Sequence, residues 1–301
     1  MSAGHSHDHA HSHAHVPANY GPAFAFGVAL NLAFVAVEAT FGFLSGSMAL
    51  VADAGHNLSD VLSLALAWGA SVLARRAPSG RFTYGFKSST ILAALANAGL
   101  LLVAIGGIAF ETVGRIAAPP AVEGRTMIVV AGIGIVINGA TALLFASGRK
   151  HDINIRGAFL HMAADALVSL GVVVAGAAIM LTGARWIDPV TSLVIILVIA
   201  WGTWGLLKDS VKLGLNAVPE HIDEAAVRAH LAALPGVTAV HDLHIWPMST
   251  TEAALTAHLV MPSGCPGDAF LHDLAHQLEH DFAIGHTTVQ VETGERCEVG
   301  C

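Results

Sequence analysis

His56-Asn57-Leu58-Ser59-Asp60 and His161-Met162-Ala163-Ala164-Asp165 are two copies of one short pattern, and each lies inside a long apolar run. The tails match as well: Val61-Leu62-Ser63-Leu64 follows the first and Leu167-Val168-Ser169-Leu170 the second. Four residues on an α-helix advance about 6 Å at ~1.5 Å per residue and return to the same face. Two such helices set against each other present two imidazoles and two carboxylates to a single point. That donor set suits a tetrahedral Zn²⁺ site.

The rest of the chain explains where such a site would sit. Of 301 residues, 54% are hydrophobic and only 12% charged, with a mean hydropathy of +0.64. Soluble domains carry about 25% charged residues, so the composition is that of a membrane protein. A formal charge of −8 offers no basic surface and sets nucleic-acid partners aside. Apolar stretches able to cross a bilayer, for which about 20 residues suffice, fall near 22–44, 48–74, 88–112, 126–147, 155–182 and 187–207. Pro119-Pro120 and Asp188-Pro189 read as joins between neighbouring spans. The expected fold is therefore a six-helix transmembrane bundle over 21–212, with the His/Asp pairs on its second and fifth spans.

Placing Asp in the middle of a membrane helix costs roughly 2.5–3.5 kcal/mol on insertion scales. Asp60 and Asp165 need partners to be tolerated there, and the repeated His-x-x-x-Asp pair supplies them. Asp53, one turn from His56, is read either as widening an exit path or as hydrated near the helix end. Two nitrogens with two carboxylates favour Zn²⁺, with Co²⁺ and Cd²⁺ as competitors.

Lys and Arg are unevenly shared between the loops. Arg75, Arg76, Arg81 and Lys87 lie in the 2–3 connection, Arg149, Lys150 and Arg156 in the 4–5 connection, and Lys208 and Lys212 after the last span. The opposite loops hold Arg115, Arg125 and Arg185. The positive-inside rule then places both termini in the cytoplasm, which suits a bacterial inner membrane. No basic segment precedes an early apolar stretch, so no cleaved signal peptide is expected.

The ends of the chain differ in character. Residues 1–20 alternate His5, His7, His9, His11, His13 and His15 with small or acidic residues, a composition expected to stay disordered and to capture metal. From about 213 the chain becomes polar and regular. Helical spacing over 222–234 gives way to strand-like alternation over 237–246 and 253–261. A helix face of Phe270, Leu274, Leu278 and Phe282 follows, then a strand over 287–291. The order α-β-β-α-β predicts a small α/β ferredoxin-like domain over 213–293, with a tail over 294–301. His272, His276 and His280 repeat every four residues. The cysteines are Cys265, Cys297 and Cys301, an odd number that does not form a disulfide framework. In a reducing cytoplasm Cys297 and Cys301 would be thiols able to serve as soft zinc ligands.

Several of these motifs resemble one family. Ala52-Asp53-Ala54-Gly55-His56-Asn57-Leu58-Ser59-Asp60, Thr83-Tyr84-Gly85-Phe86, Gly157-Ala158-Phe159-Leu160-His161-Met162 and Val240-His241-Asp242-Leu243-His244-Ile245-Trp246 are similar to the cation diffusion facilitators, above all to their bacterial zinc/cobalt/cadmium-resistance efflux branch. The likeness runs from 22 to 293. It implies a homodimer that exchanges a divalent cation for protons, with His56, Asp60, His161 and Asp165 as the transport site. It also implies cytoplasmic zinc ligands at His241, His258, His272 and Glu292. The 2–3 connection lacks His, so the extra site of some members is not expected. The short 4–5 connection lacks a His-rich insert, leaving the N-terminal tract to take over that role.

Exchange is chemically natural for such a site. Zinc binds neutral imidazole and ionised carboxylate, so loading releases protons and reprotonation weakens the site. A membrane-anchored metal sensor or buffer is the alternative, but a sensor does not need four ligands in mid-bilayer. His276-Gln277-Leu278-Glu279-His280 matches a zinc-peptidase pattern but lacks a third ligand and a cleft, so an enzyme is not expected.

Overall fold

In a computed structural model that describes residues 21–145 and 153–294, six helices precede a small α/β unit. The His-rich tract of 1–20 and both Cys297 and Cys301 lie outside the described residues, so the expectations attached to them do too. The helices are α1 (Gly21–Ser45), α2 (Met48–Ala74), α3 (Ser89–Ala117), α4 (Gly124–Phe145), α5 (Ile153–Thr182) and α6 (Ile187–Gly214). Five of them, α2 to α6, are long and apolar enough to cross a membrane, and the apolar part of α1 described in full, Ala29–Ser45, is shorter. The bundle core gathers Leu50, Ile105, Met127, Val130, Val172, Ile195 and Ile199, while Phe110, Leu181 and Trp201 are among the large apolar side chains left facing outward. That inversion is what a lipid solvent permits.

One expected join lies elsewhere. Asp188-Pro189 sits in the first turn of α6, not between spans. Proline fits there because a first-turn N–H has no helical acceptor to lose. The buried Asp188 instead reaches α2: it accepts from Ser47 Oγ at 2.5 Å, from Met48 N at 2.8 Å and from Ala49 N at 3.3 Å. These are N–H groups a helix start leaves unpaired, and a carboxylate there is favoured by the helix dipole. Ser192, one turn along α6, donates to Met48 O and lies 3.2 Å from Thr112 of α3. The start of α2 is thus bound to α3 and α6.

α4 and α5 touch backbone to backbone. A Cβ placed on Gly176 would meet Gly124 O at 2.9 Å, and one on Gly124 would meet Gly176 O at 2.6 Å. Small residues permit such contact between membrane helices.

Beyond α6 come α7 (Glu224–Ala232), β1 (Ala239–Pro247), β2 (Ala253–Val260), α8 (Asp268–Phe282) and β3 (His286–Glu292). β2 is central, antiparallel to β1 and parallel to β3. Leu255, Ala257 and Leu259 face α7 and α8, where Val227, Leu231, Leu274 and Leu278 complete a second core. The alternate residues Thr256 and His258 face away from the helices. The two parts meet where the 2–3 connection lies on the β1–β2 turn. Lys87 pairs with Glu252, Ser88 Oγ donates to Met248 O at 3.3 Å, and Thr250 N donates to Thr90 Oγ1 at 3.0 Å.

The glycine contact predicts a position-specific effect. Gly176→Ala should lower stability by about 1–3 kcal/mol, since backbone cannot yield as a side chain can. Gly171→Ala in the same helix, where a Cβ meets nothing within 4 Å, should not. Melting temperatures of the two purified variants check this.

Candidate metal centre

α2 and α5 run antiparallel and bring their His/Asp pairs into reciprocal contact. His56 Nε2 lies 3.2 Å from Asp165 Oδ1, and His161 Nε2 lies 3.3 Å from Asp60 Oδ2. Within each helix the pair spans 3.9 Å (His56 to Asp60) and 3.6 Å (His161 to Asp165). Bonds of 2.0–2.1 Å in a tetrahedron separate neighbouring ligand atoms by about 3.3 Å. The four His–Asp separations lie close to that value. His56, Asp60 and Asp165 each offer a ligand atom within 4.8 Å of the others; His161 stands outside that group, its ring centroid 6.2 Å from that of His56.

Exposure is graded along the bundle. Asp53 is 0% exposed; the side chains of Asp165, His56, Asp60 and His161 are exposed by 3%, 19%, 32% and 44%. The rise is toward the 2–3 and 4–5 connections. The other end is closed by the contacts of Asp188 and Ser192 with α2.

Asp53 is not open to solvent. It is fully buried and accepts from Ser169 Oγ at 3.0 Å. Beside it Asn57 Nδ2 donates to Glu38 Oε2 at 2.9 Å, and Glu38 too is fully buried. Sequence reasoning passed over Glu38, although the cost that drew attention to Asp60 and Asp165 applies equally to a lone Glu in α1.

A second group lies on the open face of the sheet. His241 Nε2 is 3.0 Å from Glu292 Oε2, and His258 Nδ1 is 2.9 Å from Glu292 Oε1. The His258 nitrogen makes no hydrogen bond with that oxygen. Asp242, which sequence reasoning quoted but did not count as a ligand, approaches His258 Nε2 at 3.4 Å. A bulge between His241 and His244, with Asp242 at φ +50°, turns consecutive side chains toward one partner.

His272 is not brought to this group. It lies on the exposed side of α8, in the helical layer, while His241, His258 and Glu292 occupy the opposite face of the sheet. His276 and His280 stack on the same exposed side of α8, ring centroids 6.4 Å apart. Cys265 is exposed and free.

Comparison with known proteins places the chain in a family. A family model of the cation efflux transmembrane domain matches residues 25–213, and one of the cation efflux protein cytoplasmic domain matches 219–294. The chain belongs to the cation efflux family. It is a multi-pass membrane transporter, not an enzyme. The metal cation efflux system protein CzcD of Cupriavidus metallidurans is 36% identical, over 97% of this chain and 90% of its own length. The cadmium, cobalt and zinc/H(+)-K(+) antiporter of Bacillus subtilis is 35% identical over 86% of this chain and 85% of its own. The zinc transporter ZitB of Escherichia coli is 36% identical over 89% and 86%. Among solved structures, the metal-bound C-terminal domain of the CzcD transporter from Cuprividus metallidurans is 39% identical, covering 24% of this chain and 99% of its own, with a TM-score of 0.22.

Burial tends to raise the Glu292 carboxyl, but the His241 hydrogen bond and the charges of His241 and His258 outweigh it and hold the group below its ordinary range. A carboxylate so depressed stabilises the fold above its unfolded pKa, about 4.3, and the stabilisation fades as pH falls through the folded value. Glu292→Gln in chelator-treated protein should therefore melt below wild type near neutrality. The gap should close below about pH 4, as thermal melts across pH would show.

Proposed function

We propose that the protein exports Zn²⁺ from the cytoplasm in exchange for entering H⁺, through a tetrahedral site of His56, Asp60, His161 and Asp165. The observation that carries this reading is the reciprocal contact of two His/Asp pairs across antiparallel helices, with His–Asp separations near the edge of a tetrahedral zinc site. Two imidazoles with two carboxylates favour Zn²⁺, with Co²⁺ and Cd²⁺ as further cargo. The metals in the names of the Bacillus subtilis and Escherichia coli relatives are the same three.

Direction follows from charge and exposure together. The positive-inside rule puts the Lys- and Arg-rich 2–3 and 4–5 connections, and hence both termini, in the cytoplasm. His161 and Asp60 are the most exposed of the four side chains, and they are the two nearest that end. Metal then enters from the cytoplasm as protons leave the imidazoles, and reprotonation from the other side releases it. Rocking of the helices alternates the access.

His241, His258 and Glu292, with Asp242 beside them, are proposed as a cytoplasmic metal site that senses the cargo. The reading includes a homodimer, as the family resemblance implies. Its sensing role predicts that excess Zn²⁺ raises the melting temperature of wild type more than that of His258→Ala, in proportion to occupancy.

Vesicles holding the purified chain test transport directly. With an imposed pH gradient, wild type should move Zn²⁺, and Asp60→Ala should not. Loss of a direct ligand should weaken binding by more than the roughly tenfold seen for outer-shell changes. Folded wild type that moves no metal under a gradient would overturn the reading.

A further inference from the structure

The carboxyls of Glu38 and Asp53 lie within hydrogen-bonding reach of each other, one helical turn beyond the proposed ligands. Each has one oxygen satisfied: Glu38 Oε2 by Asn57 and Asp53 Oδ2 by Ser169. The remaining oxygens, Glu38 Oε1 and Asp53 Oδ1, are buried and meet no donor among the described residues. Among the described residues, His56, a turn away, is the group able to carry positive charge that bears on Asp53. α1 contributes Glu38, α2 contributes Asp53, Asn57 and, a turn away, His56, and α5 contributes Ser169 and Asp165. α4 passes Ser169 at Gly134 and carries no titratable residue from 126 to 143.

Two ionised carboxylates facing each other in a buried site repel, and each loses hydration for a single hydrogen bond. A single proton between the unsatisfied oxygens converts that repulsion into a charge-assisted O–H···O⁻ bond. We propose that Glu38 and Asp53 form a proton-binding site, separate from the four metal ligands, which holds one proton in the metal-free carrier and gives it up when cargo binds. This rests on the transport reading for its cargo. A divalent ion that displaces a single proton from the imidazoles leaves the site one charge more positive, which favours the doubly ionised pair. The carboxyl O–H bond then breaks, its electron pair stays on oxygen, and the proton passes to water as hydronium. By the same linkage an arriving proton weakens metal binding.

The test uses the full chain and two readouts. Infrared spectra of metal-free protein near neutral pH should show a protonated-carboxyl C=O stretch that shifts in D₂O and disappears on adding Zn²⁺. Glu38→Gln and Asp53→Asn should each lack that band. In both, the introduced amide N–H₂ supplies the hydrogen the shared proton supplied, so folding is retained. Calorimetry in buffers of different ionisation heat should find one fewer proton released per Zn²⁺ bound in Glu38→Gln than in wild type. The proposal is overturned if wild type shows no such band, if the band survives in both variants, or if the proton count is unchanged. Should wild type bind no Zn²⁺, the transport reading fails, and the metal-free spectra alone still decide whether the pair holds a proton.

Discussion

A carboxylate inside an apolar bundle must be matched by a partner, and the membrane part of this protein is arranged around meeting that requirement along one helix. α2 holds Asp53 and Asp60 and touches Glu38, Asp165 and Asp188 from three other helices. The matches differ in kind. Asp188 is met by the unpaired N–H groups at the start of α2, Asp60 and Asp165 by imidazoles of the opposite helix, and Glu38 and Asp53 by neutral donors on one oxygen each. The first is permanent, since backbone N–H groups do not titrate. The second is exchangeable, since an imidazole can trade its proton for a metal ion. One end of α2 is therefore fastened while its middle is free to change charge.

The same division between fixed and exchangeable partners appears outside the membrane. The sheet's helical face is closed by leucine and valine packing. Its other face gathers two imidazoles and two carboxylates around His258. The β1 bulge is what admits both His241 and Asp242, because strict alternation would send consecutive side chains to opposite faces. Lys87 and Glu252 then join this unit to the connection between α2 and α3.

Much of this was legible from the sequence because it is written in periodicity. Apolar length located the spans, and the order of α7, β1, β2, α8 and β3 followed from changes of period. The repeated four-residue spacing put His56 with Asp60 and His161 with Asp165. What escaped depended on which elements are neighbours. Asp188-Pro189 has the composition of a turn, and its service as a cap for α2 exists only because α6 begins beside Ser47. Asp242 reaches His258 through a bulge that no alternation pattern announces. His272 shares a spacing with its neighbours but belongs to the layer across the sheet from His258. Glu38 was different: its burial cost was readable, and its lack of a repeated partner hid it.

The register between α2 and α5 also restricts how the carrier can move. Asp53 faces Ser169, His56 faces Asp165 and Asp60 faces His161, a regular antiparallel sequence of pairs. Sliding α2 by one turn in one direction would set Asp60 against Asp165 and His56 against Ser169. Sliding it the other way would set His56 against His161 and Asp53 against Asp165. Either slip uncovers charge inside the bundle, where an unpaired ion costs several kcal/mol. A tilt of α2 about its fastened end does not. It widens the gap at Asp60 and His161, where exposure is already greatest, and keeps Asp53 against Ser169. Under the proposed transport, the repeated pairs thus favour rocking over sliding as the motion that releases the cargo.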